Sequence, residues 1–134
     1  MDDLRRLREL LAQGHGCAVA LVRLGLELRG EENPQLLAAM GALCGGVRGG
    51  LACGALTGAA CMMTVLEPGL AEAVPELTSW FAGEMGEAFG GPDCADIVGD
   101  DPLLKRTRCP ALVEATYLKA KEILIRNGSG AFDS

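Results

Sequence analysis

The chain has 134 residues, which is long enough to bury a hydrophobic core without covalent staples, and it contains six cysteines. Apolar residues make up 49% of the sequence and aromatic residues only 4%, so the core must be built from Leu, Ala, Val and Met, the residues typical of helical bundles. The formal net charge of −6 and the lack of a basic cluster outside residues 104–108 argue against a phosphate-binding face, and we expect no nucleic-acid partner.

The amino-terminal stretch MDDLRRLREL predicts an amphipathic helix over residues 2–13. Leu4, Leu7 and Leu11 recur at helical spacing, and two acids precede them at the positive end of the helix dipole. The stretch has no basic region followed by an apolar region, so it does not resemble a secretory signal. No run of about 20 apolar residues predicts a membrane span. We therefore expect a cytoplasmic protein, where cysteines serve metal ligation or redox chemistry more often than structural disulfides.

Glycine and proline divide the rest of the chain into further elements. The sequence GHG breaks the first helix, and the glycine-rich segment over residues 44–50 predicts a turn or a close approach between elements. Pro34 and Pro110 fit the first turn of a helix, where a missing N–H group does no harm. The predicted helices cover residues 17–28, 34–43, 51–65, 70–89 and 109–127, with a single helical turn at 94–99 and a connector at 100–108.

These elements predict an all-α fold, a compact bundle of five to six helices. We expect residues 1–134 to form a single helical domain that ends in a frayed tail over residues 129–134. Trp80, Phe81 and the apolar face of the first helix fit either the core or a homodimer interface, and the sequence leaves both open.

The cysteines form no C-x-x-C pair. Their wide spacing excludes the local motifs of thioredoxins, zinc ribbons and bacterial ferredoxins, so any shared site must be assembled by the fold. Four of them fall at the predicted starts of helices: Cys17, Cys53, Cys94 and Cys109. A thiolate there meets unpaired N–H groups and the positive end of the helix dipole, which lower a cysteine pKa from about 8.5 to roughly 3.5–7.5. Because the thiolate binds metals and attacks disulfides, convergence of these helix starts would create a reactive site.

The remaining candidates are Cys44, Cys61 and His15. Buried cysteine behaves as a small apolar side chain, which is the favoured interpretation for Cys44 and Cys61, with a secondary thiol as the alternative. His15 is a mixed-site ligand, a base or an exposed loop residue, and we favour the last. Asp93 and Asp96 fit helix caps better than acids in catalysis.

The stretch CGALTGA at residues 53–59, with one cysteine before it and two after it, resembles a family of redox-active proteins named for the ordered pattern C_GCAxxG_C_C. The likeness extends to GCAVAL, FAGEMGEAFGGPDCADIVG and CPALVEATYLKAKEIL, and so covers nearly the whole chain. It implies a helical, cytoplasmic protein with a redox role that rests on four cysteines: Cys17, Cys53, Cys94 and Cys109. The chain departs from the pattern in its two extra cysteines and in the order C-G-A-L-T-G of its central element.

Three functions fit this four-cysteine set. The first, which we favour, is ligation of an iron–sulfur cluster, with [2Fe–2S] preferred, for electron transfer or redox sensing. The second is a metal-free thiol–disulfide oxidoreductase in which the same cysteines are catalytic. The third is a structural zinc site in an interaction module. With no phosphate loop and no Ser/His/Asp set, we expect a redox partner protein, and an electron carrier rather than a substrate-specific enzyme.

Overall fold

The computed structural model describes residues 2–132, and helices account for most of this part of the chain. The α-helices are α1 (Asp3–Ala12), α2 (Cys17–Leu28), α3 (Pro34–Met40), α4 (Gly54–Leu66), α5 (Val74–Phe89), α6 (Cys94–Ile97) and α7 (Pro102–Arg126). Shorter helical turns cover Gly41–Leu43, Gly46–Gly50 and Pro68–Ala73. Within the described residues no strand forms, and Ala52 and Asp93 make an isolated antiparallel bridge. The all-α prediction is confirmed, and the helix count reaches seven when the single turn of α6 is included.

Helix α4 lies at the centre of the bundle, packed most extensively on α2 and next on α7. A Cβ at Gly58 would lie 2.7 Å from the Cα of Ala18, so a larger residue would force the two helices apart. A Cβ at Gly54 would meet the Cβ of Cys17 at 3.4 Å, an ordinary van der Waals contact. The small residues on this face of α4 therefore set the separation between α2 and α4, and with it the separation between Cys17 and Cys53.

The core is mainly aliphatic, as the composition predicts. Tyr117 and Phe81 are its largest fully buried side chains, and Trp80 packs half-buried beside Phe81. The Tyr117 hydroxyl donates a hydrogen bond to Asp3, and the Nζ of Lys121 lies 2.7 Å from the same carboxylate oxygen. These contacts fasten α1 to α7. Among the described residues, no helix has both the length and the apolar composition needed to cross a bilayer.

Helix α7 begins earlier than the sequence predicts. The carboxylate of Asp101 caps it by accepting an amide hydrogen bond at 2.9 Å, and Pro102 occupies the first turn. The predicted connector over residues 100–108 is thus helical from Pro102 onwards. Both Pro102 and Pro110 fit a helix start, and the cap at Asp101 selects the earlier one. The predicted helix start at Cys109 is therefore wrong, and Cys109 lies in the interior of α7.

The described part of the carboxyl-terminal tail contacts the bundle. Fraying is predicted for residues 129–134, of which Asp133 and Ser134 lie outside the described residues. The hydroxyl of Ser129 donates a hydrogen bond to Glu67 at 2.8 Å, and the ring of Phe132 packs edge-on against Tyr117 with centroids 6.4 Å apart. These contacts hold the chain against α7 as far as Phe132.

The contact at Gly58 generates a stability prediction. Gly58→Ala should lower the free energy of unfolding by about 1–3 kcal/mol, because its methyl group overpacks the α2–α4 contact. The matched control is Gly83→Ala in α5, where an added Cβ meets no atom within 4 Å and the gain in helix propensity should stabilise the protein by roughly 0.5–1 kcal/mol. Urea denaturation of both variants measures the difference. Equal effects at the two sites would show that the close α2–α4 approach does not limit stability.

Candidate functional site

Five of the six cysteines line one cavity of about 530 Å³ between the start of α2, the start of α4 and the first half of α7. They are Cys17, Cys44, Cys53, Cys94 and Cys109. The four cysteines of the sequence pattern are thus brought together, and Cys44 joins them. Cys61 does not: it packs half-buried against a separate apolar cluster that includes Ala18, Val22 and Met40.

Different backbone features position each cysteine. Cys17 is the first residue of α2, and Cys53 immediately precedes α4. Cys94 is the first residue of α6, and its N–H donates a 2.7 Å hydrogen bond to the carbonyl of Leu51. Asp93 and Asp96 form a capping box around this turn, as the sequence predicts. The segment before α4 and the short helix α6 are therefore held side by side.

Cys109 lies inside α7 and directly precedes Pro110. Pro110 has no N–H to donate to the carbonyl of Arg106. One helical hydrogen bond is therefore missing in the turn that contains Cys109. Lys105 lies four residues before Cys109, which places both side chains on the same face of the helix. The positive charge of the Lys105 side chain therefore favours the thiolate form of Cys109.

The glycine-rich segment folds into a tight turn against the site. Gly45 and Gly46 have φ values of 69° and 68°, and Val47 and Arg48 follow at 59° and 58°. A Cβ at Gly46 would lie 2.5 Å from the amide nitrogen of Leu51 and 2.9 Å from the Cβ of Cys94, so glycine is required there. The predicted turn over residues 44–50 is confirmed in form, and it brings Cys44 to the cavity.

Cys17 and Cys109 are neighbours in the cavity, and their thiols have opposite pKa shifts. The hydrogen bond from Cys17 and the charge of Lys105 lower the pKa of Cys109 to about 7, against the opposing effect of burial. The same hydrogen bond, together with burial and the neighbouring thiols, raises the pKa of Cys17 well above its usual range. With its pKa lowered to about 7, Cys109 is the thiol of this pair that ionises first, and Cys17 stays protonated.

The cysteines at helix starts have raised rather than lowered pKa values. Burial raises the pKa of Cys53 to about 11, although the amides of Ala55 and Leu56 favour its thiolate. Burial and the charge of Cys109 also raise the pKa of Cys94. The expected lowering by helix amino termini is thus outweighed by desolvation at these positions. The one cysteine whose pKa is lowered lies within a helix, beside a lysine.

Lys105, Arg106 and His15 also line the cavity. His15 is half-buried, and its Nε2 lies 3.3 Å from the guanidinium of Arg23. Arginine can only donate, so Nε2 of His15 is the acceptor in this contact. The favoured interpretation of His15 as an exposed loop residue is therefore replaced by a partly covered residue at the rim of the site.

The cysteine cavity has the donor chemistry of a metal or cluster site but not the geometry of a single-ion site. In the stretch from residue 2 to residue 132, no three His, Cys, Asp or Glu side chains are placed to bind one metal ion together. Iron–sulfur clusters take four Cys thiolates spread around several atoms, and five thiols surround this cavity. The cavity therefore provides thiols, the donor type that both iron–sulfur clusters and zinc ions use.

Lys105 and Arg106 are the site residues that the sequence did not indicate. They fall in the stretch predicted as a connector, where no side-chain direction follows from the spacing. The sequence DDP at residues 100–102 could have indicated a helix over this stretch, because an N-cap aspartate followed by proline is a helix-start pattern. It indicates a helix start as well as the sequence CP at residues 109–110 does. A helix over residues 102–109 would have placed Lys105 beside Cys109.

Comparison with known proteins supports the interpretation of the pattern as a whole. No curated protein and no solved structure is significantly similar to the chain. Residues 15–123 match the family described as "Putative redox-active protein (C_GCAxxG_C_C)". The match spans all six cysteines and every element from α2 to most of α7. The protein therefore belongs to the C_GCAxxG_C_C family of redox-active proteins.

Proposed function

We propose that the protein is a thiol–disulfide redox protein in which Cys109 attacks and Cys17 resolves. The observation that carries the proposal is the placement of Cys17, Cys109 and Lys105 around one cavity, where Cys17 and Lys105 lower the pKa of Cys109 to about 7. A thiol with a pKa near ambient pH combines a high thiolate fraction with good nucleophilicity. Both thiols are half-buried at an open cavity, so a substrate disulfide has access to them.

The exchange proceeds in two balanced steps. The Cys109 thiolate attacks one sulfur of a substrate disulfide, forming a mixed disulfide and releasing the first substrate thiolate. Cys17 gives its proton to that leaving thiolate and then attacks the Sγ of Cys109. The mixed disulfide breaks, the second substrate sulfur leaves as a thiolate, and Cys17 and Cys109 are joined. The protein has lost two electrons and the one proton of Cys17; the substrate has gained both electrons and that proton, and its second thiolate takes a proton from water.

Two of the three remaining cysteines of the cavity, Cys53 and Cys94, supply a second thiol pair. Cys94 and Cys53 lie close enough to the exchanging pair for their charges to interact with that of Cys109. By the same exchange chemistry, these two thiols would reduce the Cys17–Cys109 disulfide and become a disulfide themselves. A redox partner protein is then the source or the acceptor of those equivalents.

A second candidate function is ligation of an iron–sulfur cluster, favoured by the convergence of five thiols on one cavity. Cys17, Cys53, Cys94 and Cys109 would hold a [2Fe–2S] cluster, which supplies one-electron transfer when bound. Burial raises the pKa of three of these four thiols, so ligation has to release their protons. Structural zinc would use the same ligands, and it is the third candidate.

The state of Cys109 generates a pH prediction. Its alkylation by iodoacetamide, followed by peptide mapping, should rise with a midpoint near pH 7, because its pKa is lowered to about 7. Removal of the neighbouring charge in Lys105→Met should move the midpoint to higher pH. The matched control, Arg106→Met, removes a charge from the same cavity wall and should move it less. A wild-type midpoint near the ordinary thiol value of about 8.5 would contradict the assignment.

Anaerobic purification distinguishes the candidate functions. The main expectation is a colourless, iron-free protein that forms a Cys17–Cys109 disulfide with a small disulfide oxidant, detected by mass spectrometry of unreduced peptides. Cys17→Ser and Cys109→Ser should each abolish this disulfide, whereas Cys61→Ser, a cysteine outside the cavity, should leave it unchanged. Visible absorption with stoichiometric iron and sulfide would favour the cluster, and stoichiometric zinc with unreactive thiols would favour the structural site.

A further inference from the structure

A second cavity of about 570 Å³ adjoins the cysteine cavity and has no role in the exchange described above. The two cavities share four residues of their lining: Cys44, Gly45, Cys94 and Lys105. The far side of the second cavity is formed by the glycine-rich turn and by the loop after α6, with Arg48 on one and Asp100 on the other. Each cavity has the size of an ordinary small-molecule site.

Positive charge prevails in the second cavity, although the chain as a whole carries a net charge of −6. Arg48 and Lys105 line it, against the single carboxylate of Asp100. Within residues 2–132, neither Arg48 nor Lys105 forms an ion pair, whereas Arg6, Arg8 and Arg29 each do. Two cations without carboxylate partners at the mouth of one cavity favour an anionic ligand.

The backbone holds Arg48 at this cavity. Its Nε donates a 3.0 Å hydrogen bond to the carbonyl of Gly41, which fixes the stem of the guanidinium and leaves its terminal N–H groups for a ligand. Arg48 and Val47 both have positive φ, a conformation that is uncommon for arginine and an outlier for a β-branched residue. Strained residues of this kind cluster at ligand-binding sites.

We infer that this cavity binds a carboxylate of a low-molecular-weight disulfide substrate while its sulfur atoms reach Cys109. The inference rests on the proposed function, since it names the substrate class of that same exchange. Lys105 serves both parts, because it lines both cavities and lowers the pKa of Cys109. Arg48 is the specificity residue: it lies away from the exchanging pair and contacts the carboxylate alone.

The test compares two disulfides with different charge. Reduced protein reacts with the anionic 5,5′-dithiobis(2-nitrobenzoate) and with the neutral 4,4′-dithiodipyridine, and stopped-flow absorbance gives both rates. Arg48→Gln should slow the anionic reaction by about tenfold, the loss of one charge-assisted contact, and leave the neutral one unchanged. Arg5→Gln, a remote and exposed arginine on α1, is the matched control and should alter neither rate. If Arg48→Gln changes neither rate, or both equally, the inference is overturned while the proposed function stands.

A binding measurement keeps the inference separate from the exchange chemistry. Reduced ¹⁵N-labelled protein is titrated with 4-nitrobenzoate and, as the neutral counterpart, with nitrobenzene. The inference predicts amide shifts in Gly45, Gly49, Gly50 and Gly99 with the carboxylate only, lost in Arg48→Gln. If neither disulfide reacts but these shifts occur, the proposed function fails and the anion site survives. The absence of carboxylate-specific shifts overturns the site.

Discussion

The close approach of α2 and α4 is the constraint on which the rest of the site depends. Gly58 lets the α4 backbone press against Ala18, and Gly54 lets it pass the side chain of Cys17. With a larger residue at Gly58, the two helices and the cysteines at their starts would lie farther apart. The small residues of the central motif bury little side-chain surface, but they let the backbones of α2 and α4 approach closely. This approach brings the cysteines at the two helix starts together.

The cysteines that share the cavity do not have equal pKa values. Several buried thiols cannot all ionise, because desolvation and mutual repulsion disfavour every additional thiolate. A hydrogen bond from Cys17 and the charge of Lys105 lower the pKa of Cys109. The pKa values of the other three cysteines of the sequence pattern are raised: Cys17, Cys53 and Cys94. The chemically similar side chains therefore differ in how readily they ionise, and Cys109 is the one whose pKa is lowered.

The glycine-rich turn over residues 44–50 positions two side chains around the cavities, Cys44 and Arg48. It places Cys44 against the backbone of Gly16, where an added Cβ would lie 2.4 Å from the sulfur, and it holds Arg48 at the adjoining cavity. Backbone conformations with positive φ cost conformational energy, and the tertiary contacts of the turn with Leu51 and Cys94 maintain them. The turn is therefore part of the site and not a passive connection.

The sequence by itself determined the helical class and the extent of α2, because apolar periodicity, proline and glycine act locally, and its resemblance to the family pattern singled out four of the six cysteines. It left the start of α7 open, since Pro102 and Pro110 both fit the first turn of a helix, and in the structure the helix begins at Pro102, capped by Asp101. Tertiary structure alone decided that Cys44 joins the cavity, that Cys61 does not, and that the pKa of Cys109 is lowered. The physical reason is that a cysteine pKa depends on burial and on neighbours distant in sequence, and these exist only once the helices have packed.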